Sequence, residues 1–600
     1  MTHRHELTLS VTLRSPFILP GLDVAGLGID TPALRDEAGQ PLIPADQVKG
    51  LLRAAMVSLV TVGAAKREEL DALFGRASPD AAGGVTASNA PERGCLITAD
   101  LVAGLSPSTD PHSITRIKID EATGAVQHGA LQVVELAAPV GTDVLFTGTA
   151  ILRCPPQRLE RLAGLLARAW ALVPAIGGAK SAGFGRVIKA AVTVATSAPL
   201  WPAVVADAEG DSLWLEVSFD RRLLVDAERL SDNVWRGSTI VPGSAIKGAL
   251  ARALEMAGQQ PEVAGSPLGQ VLSTIRIGHA FPVKDDPEKR NKTLCDLPLP
   301  QSLVQLEQGD GTILDALLVP PAHIPIGRNG AVPAYVGDWK NRARPDHLPP
   351  SAIPTLPRIH TRIGEDYTAA DGDLYVDIGL SPWQDANAKK RRHWRLRVDR
   401  NGADPDWFAR IIALLRGTGL DGVGTTGASA QFRNAAPPPG LDIRPVSTQD
   451  GDLWAVTLVT SALMLPGNVG DIVHAAYQEF WRQALEQPGL ILRNLFVRHR
   501  LAGGYIGMRR RHYGPSVYRP FLLTEPGSVF LLQGELGAAL ERRLGTGLPA
   551  RGANGGWATD WRACPFLPEN GFGDFRLNLV DHAALGQDMH GIARVEDMDV

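Results

Sequence analysis

One carboxylate, Asp30 in the phrase GLGIDTPALRDEAGQP, stands in a glycine-bearing loop just ahead of a helix. Two chemistries suit it. A carboxylate before Thr31-Pro32 can close an Asx turn. It can also act as a general base, or hold a divalent metal through water, where a ribose 2′-hydroxyl is splayed for in-line attack on its phosphate. The second chemistry requires bound RNA, so cations and free backbone N–H groups must be close by.

Three stretches offer them. IGGAKSAGFGRV supplies Gly177, Gly178, Lys180, Ser181, Gly183, Gly185 and Arg186. Its glycines allow an anion nest, and its cations suit phosphates. The plain alternative is a tight turn between helix and strand. IPADQVKGLLRAA, residues 43–55, places Lys49 and then Arg53 in the first turns of a helix, whose start favours phosphate. A solvated surface cation is the alternative. LRNLFVRHRLAGGYIGMRRRHYG holds Arg493, Arg498, Arg500, Arg509, Arg510 and Arg511, interleaved with Phe496, Tyr505 and Tyr513. Arginine with aromatics suits a single strand of RNA. KKRRHWRLR, residues 389–397, reads equally as the charged outer face of a strand.

The elements that position these residues are duplicated. IPADQVKGLLRAA returns as VPGSAIKGALARA at 241–253, with Lys49-Gly50 matched by Lys247-Gly248. TRIKIDEATGAVQHGAL, starting at Thr115, echoes TRIGEDYTAADGDLY from Thr361, so Arg116 and Asp120 align with Arg362 and Asp366. The first unit reads strand, helix, strand, strand, helix, strand. This is the ferredoxin-like order, an α+β fold whose open sheet face often takes RNA. We expect tandem ferredoxin-like domains with glycine-rich loops. The first covers residues 1–200, with a projecting insertion near 85–125. The second covers 205–440, with an insertion near 280–355, and a divergent third unit covers 450–600.

The 600 residues are 44% hydrophobic and carry a net charge of −4, so a nucleic-acid site must come from local concentration of cations. No membrane-length apolar run and no signal-peptide core are evident, which predicts a cytoplasmic protein without a membrane partner. Cys95, Cys154, Cys295 and Cys564 lack zinc spacing, so no zinc is expected.

These phrases resemble the RAMP proteins of type III CRISPR–Cas effector complexes. GIDTPALRDEAGQPLIPADQVKGLLR, SITRIKIDEATGAVQHGALQVVELAAPVGTDVLF and IGGAKSAGFGRV are similar to the three signature regions of the backbone subunit that lines the guide RNA. The resemblance implies target-RNA cleavage at Asp30 with a divalent metal, Mg or Mn, and a thumb at 85–125. Residues 205–600 resemble the two-domain RAMP subunit of subtype III-D through VPGSAIKGALA, TRIGEDYTAADGDLY, GLPARGANGGW and the C-terminal glycine phrase. That subunit holds the guide's 5′ end and caps the filament, which makes the chain a natural fusion. One departure is plain: the second unit's loop reads GTTGASA, without a basic residue.

The implied partners are the CRISPR guide RNA, complementary target RNA, and the backbone, small and polymerase-like large subunits. The implied RNA contacts are Lys49, Arg53, Arg116, the glycine loop from Gly177 to Arg186, and Lys247. Arg498, Arg500, Arg509, Arg510 and Arg511 are expected to grip the constant 5′ tag. Two other functions compete: a scaffold without catalysis, and a guide-precursor nuclease using His128, His499 and His512.

Overall fold

The computed structural model describes residues 2–21, 28–76, 92–105, 112–201, 210–259, 266–284, 294–295, 297–305, 313–318, 353–363, 369–437, 445–448, 451–466, 473–503, 520–552, 555–561, 563–580 and 582. Among them, no helix is long and apolar enough to cross a membrane.

In the first domain, β1 (His3–Arg14) alternates cleanly, with Leu7, Leu9, Val11 and Leu13 buried on one face. After it, α1 (Ala45–Thr61) buries Val48, Leu52, Met56 and Leu59, spaced to make one helical stripe. The strands β2 (Leu96–Thr98) and β3 (Leu101–Ala103) follow. A projecting hairpin comes next, made of β4 (His112–Ile119) and β5 (Val126–Leu136). Then come β6 (Asp143–Cys154), α2 (Pro156–Ala171) and β7 (Val187–Pro199). The sheet order is β7-β1-β6-β3, with β2 also on β6, and the neighbours are antiparallel. This is the ferredoxin-like arrangement. The insertion expected at 85–125 is therefore shifted. Residues 96–103 are sheet strands because Leu96, Leu101 and Ala103 belong to the core, and the projecting element is His112–Leu136.

The second domain repeats the plan. Its elements are β8 (Ser212–Phe219), a small hairpin of β9 (Glu228–Ser231) and β10 (Val234–Arg236), α3 (Gly243–Met256), β11 (Arg276–Ile277) and β12 (Phe281–Lys284). A hairpin of β13 (Thr355–Ile363) and β14 (Ala369–Leu380) matches the first domain's. Then follow β15 (Trp394–Asp399), α4 (Pro405–Gly417), β16 (Leu420–Val423) and β17 (Ala428–Asn434). The sheet runs β12-β15-β8-β17-β16.

The third unit is a complete βαββαβ domain. It consists of β18 (Gly451–Leu458), α5 (Val473–Leu485), β19 (Ile491–Phe496), β22 (Val529–Gln533), α6 (Gly537–Thr546) and β23 (Phe575–Leu577). A short hairpin, β20 (His499–Ala502) with β21 (Phe521–Thr524), is inserted before β22. The order is β23-β18-β22-β19, again ferredoxin-like. Each domain has its own apolar core.

The domains join through buried charge. Asp421, ahead of β17, sits between Arg4 at 3.1 Å and Arg153 at 3.2 Å, both from the first domain. Burial alone would raise its carboxyl, but Arg153 and Arg4 outweigh it and hold it below the usual range. At the second joint, Arg276 bridges Asp399 of its own domain and Asp574 of the third. Within the insertion expected near 280–355, the described residues 313–318 place Leu317 against Ala455, Val529 and Leu531 on the outer face of the third sheet.

Glu37 also meets the second domain, at the Ser381 hydroxyl. Burial pushes its carboxyl up from 4.5 to about 7, Asp36 adds to this, and Arg391, Arg358 and Arg392 oppose it. A carboxyl raised on folding binds its proton more tightly in the native state, so stability falls as pH rises between about 4.5 and 7. Thermal midpoints taken across that window should show this slope in the wild type and a flatter one in Glu37→Gln. Equal slopes would remove Glu37 from the joint's proton linkage.

Candidate nucleic-acid interface and cleavage site

Asp30 is exposed and sits at the base of the first domain's hairpin. Its backbone N–H donates to Val133 O at 2.9 Å, and Val133 N–H donates to Asp30 Oδ2 at 2.7 Å. Thr31 forms a parallel bridge with Val134. The carboxylate is thus fixed through Oδ2, and among the described residues Oδ1 has no hydrogen-bond donor. The Asx-turn alternative is not what forms: the side chain bonds to a strand 103 residues away. In the second domain, β10 runs parallel to β14 in the corresponding place, carrying Val234, Trp235 and Arg236. No carboxylate stands there.

The hairpin brings the glycine loop to Asp30. Gln132 donates to the Thr31 hydroxyl at 2.9 Å, and its cross-strand partner is Arg116. The Arg116 guanidinium lies 5.9 Å from the ring of Phe184, inside the glycine loop. In that loop, Lys180–Ala182 forms a single 3-10 turn flanked by left-handed Ala179 and Gly183. Gly185 has φ 69°, and a Cβ there would strike the Ile176 carbonyl. Lys180, Ser181 and Arg186 are exposed, while Gly177 and Gly178 are half-buried against Ile18. One exposed surface therefore offers Asp30, Arg116, Lys180, Ser181 and Arg186.

The other two loops are spent on the joints. In the second domain, Gly422 and Gly427 face Ile97 of the first, and Asp421 takes the arginines described above. In the third, GFGD forms the same turn as GFGR in the first: Pro568–Asn570 is a 3-10 turn ending in left-handed Gly571. Asp574 holds the place of Arg186, and it is bonded to Arg276. The loop that is free carries a cation, and the loops that dock carry carboxylates.

Lys247 needs correction. Its ammonium donates to Ile275 O at 2.9 Å and to Glu569 O at 3.1 Å. Burial lowers it to about 8, with Glu569 opposing. It is a strut between the second and third domains and does not face solvent RNA. Lys49 is half-buried, and burial lowers its pKa. The start of α1 does not offer a free anion site, because Asp100 accepts the Ala45 N–H at 2.8 Å and Arg358 of the second domain pairs with Asp100. Nor does the glycine loop lie beside Lys49. The loop feeds β7 at one edge of the sheet, whereas Arg93 and Cys95 near β2 are among the groups around Lys49. Arg53 is exposed one turn further on.

In the third domain, Arg498 lies 3.2 Å from Glu525, and Arg500 lies 3.8 Å from Glu525 and 3.9 Å from Asp226. Their charge is partly neutralised. Arg509, Arg510 and Arg511, with Tyr505, Tyr513 and His512, fall outside the described residues. His499 bonds to Tyr477 at 2.8 Å, and burial lowers its pKa; His128 is exposed. Arg395 of the KKRRHWRLR stretch is buried on Glu216. Sequence reasoning missed Glu135, Asp421 and Asp574. The contrast of GFGR with GFGD was the available signal for the last.

Among the described residues, no group of three or more His, Cys, Asp or Glu could hold a metal by itself. One free carboxylate oxygen beside a bound phosphodiester suits Mg or Mn, which commonly take one or two carboxylates, waters and substrate phosphate. The one unpartnered oxygen of Asp30 would suit that mode.

The fold and surface define a chain of ferredoxin-like domains with one free basic glycine loop. Residues 11–188, which lie within the first domain, match the RAMP superfamily. Two cryo-EM chains of type III-B Cmr-beta bound to cognate target RNA are similar. The first shares 16% identity with a TM-score of 0.22, covering 32% of this chain and 61% of that one. The second, which also holds AMPPnP, shares 12% with a TM-score of 0.27, covering 53% of this chain and 86% of that one. The chain thus spans less than two thirds of the first. No curated protein matches it.

Lys180→Ala and Arg186→Ala should each weaken RNA binding across unrelated sequences and reduce the salt slope by about one. Lys247→Met should leave RNA affinity and slope unchanged while costing about 1–3 kcal/mol of stability, since two buried carbonyls lose their donor. A Lys247→Met protein with wild-type stability but weakened RNA binding would reverse this assignment.

Proposed function

We propose that the chain is a guide-RNA-binding subunit of a type III CRISPR effector complex that cuts guide-paired target RNA at Asp30. The carrying observation is the single hairpin surface that joins an Asp30 carboxylate with one free oxygen to a free cationic glycine loop, within the segment that matches the RAMP superfamily. Lys180, Arg186 and Arg116 bind the RNA backbone through charge. The hairpin splays the paired strand beside Asp30. Asp30 Oδ1 accepts the proton of a 2′-hydroxyl, the 2′-oxygen attacks the adjacent phosphorus, and the bond to the 5′-oxygen breaks, that oxygen taking a proton from water. The products are a 2′,3′-cyclic phosphate and a 5′-hydroxyl. A divalent ion near Asp30 would supply charge neutralisation at the phosphate. The second and third domains, whose loops lie in joints, extend the chain toward the guide's 5′ end, and the other effector subunits assemble around it.

In a complex assembled with guide RNA, Asp30→Ala should abolish cutting of complementary RNA and leave guide binding intact, and chelation should stop the wild type. Cutting at the wild-type rate by Asp30→Ala would leave the chain an RNA scaffold. Ends other than cyclic phosphate would overturn the 2′-hydroxyl route.

A further inference from the structure

The residues from Gly28 to Leu42 form a strap whose base lies on the first domain and whose tip meets the second. At the near end, Glu135 of the first hairpin accepts the Ala33 N–H through Oε2 at 2.9 Å and pairs with Arg35 through Oε1 at 2.6 Å. Its backbone N–H donates to Thr31 O at 2.9 Å. One side chain thereby fixes the strap immediately after Asp30. In the middle, Asp36 Oδ1 accepts the N–H groups of Ala38 at 3.0 Å and Gln40 at 2.7 Å, which makes the tip a stiff turn. At the tip, Glu37 Oε1 meets the Ser381 hydroxyl.

Ser381 is buried and follows directly on β14, the second domain's hairpin strand. Its backbone N–H donates to Pro354 O at 2.9 Å, just before β13. Its hydroxyl also accepts the Trp383 N–H at 3.0 Å, and its own proton is within reach of Glu37 Oε1 and of Trp383 O at 3.2 Å. The base of the second hairpin is thus tied to the tip of the strap that carries Asp30. The same hairpin reaches the first domain again through Arg358 on Asp100, at 3.0 Å.

We infer that the strap couples Asp30 to the second domain's hairpin, with Glu135 and the Glu37–Ser381 contact as positioning elements for the cleaving carboxylate. This rests on the cleavage function proposed for Asp30. An in-line attack tolerates little displacement of its base; a shift of about 1 Å can cost about a hundredfold in rate. RNA that moves the second hairpin would then alter cutting at the first domain's site without touching Asp30.

The test uses the full chain in its guide-loaded complex, with single-turnover cutting and target affinity measured separately. Ser381→Ala and Glu37→Gln should each slow cutting by about tenfold or more at unchanged target affinity. Together they should slow it no further than either alone. Ser381→Thr, which keeps the hydroxyl, should restore the rate. Glu135→Gln should slow cutting in the same way with guide binding intact. Wild-type rates in Ser381→Ala and Glu37→Gln, while Asp30→Ala is dead, would overturn the coupling and leave the cleavage function standing. A loss that Ser381→Thr does not restore, or that appears only as weaker target affinity, would also overturn it. Cutting by Asp30→Ala itself would instead strike the underlying function.

Discussion

Each joint between domains contains a carboxylate, in or beside a glycine loop, that lies on arginine of the preceding domain. Asp421 meets Arg4 and Arg153, with the Ser429 hydroxyl donating to it at 2.7 Å. Asp574 meets Arg276, which also pairs with Asp399. The side chains of Arg153, Arg276 and Asp421 are 2–3% exposed, so these charges have left water almost entirely. Such a pair need not add net stability, but losing one partner strands the other at a cost of about 3–5 kcal/mol. The joints therefore specify which surfaces meet, and they consume two of the three glycine loops. The first loop is left free, and its cation at the matching place leaves it fit for phosphate.

The same logic decides the fate of the helix starts. A helix N-terminus attracts negative charge, whether from a phosphate or from the protein. At α1, Asp100 has taken that role, and Arg358 from the neighbouring hairpin neutralises it in turn. Burial would raise the Asp100 carboxyl, yet Arg358 and the Ala45 N–H hold it low. At α3, Gly243 donates its N–H to the buried His279 at 3.2 Å, and the third domain's loop closes over the same corner. The repeated Lys-Gly phrase consequently serves packing in one copy at least: Lys247 is fixed between two carbonyls, one of them across the joint.

Much of this was legible in the sequence, and the limit is physical. Strand alternation in β1 and the apolar stripe of α1 are set by residues a few positions apart, so periodicity reveals them. The duplicated phrases revealed the tandem domains, and Asp30 with its loop stood out by local context. The partners of the charges were not legible. Arg4 and Asp421 lie 417 residues apart, and Arg276 and Asp574 lie 298 apart. No local pattern distinguishes a lysine that faces solvent from one that ends between Ile275 and Glu569. The projecting hairpin was misplaced for a related reason. Polar residues around 106–111 mask the short apolar strands just before them, and only pairing with β6 shows that Leu96–Ala103 is sheet.

The outer sheet faces carry the division of labour one step further. In the first domain that face presents Thr8 beside Thr149 and Thr193, and Ser10 beside Thr147. Thr147, Thr149 and Thr193 are exposed, a row of hydroxyls on that face. In the third domain the corresponding residues are Ala455, Val529 and Leu531, all buried under Leu317 of the second domain's insert. Asn494 clamps that insert by donating to Leu317 O at 2.9 Å. Apolar residues on an outer face must be covered, whereas hydroxyls can remain wet. The outer face of the third sheet is thus covered by its own chain. The first sheet keeps its face, its glycine loop and its hairpin all open together, and Asp30 belongs to that domain.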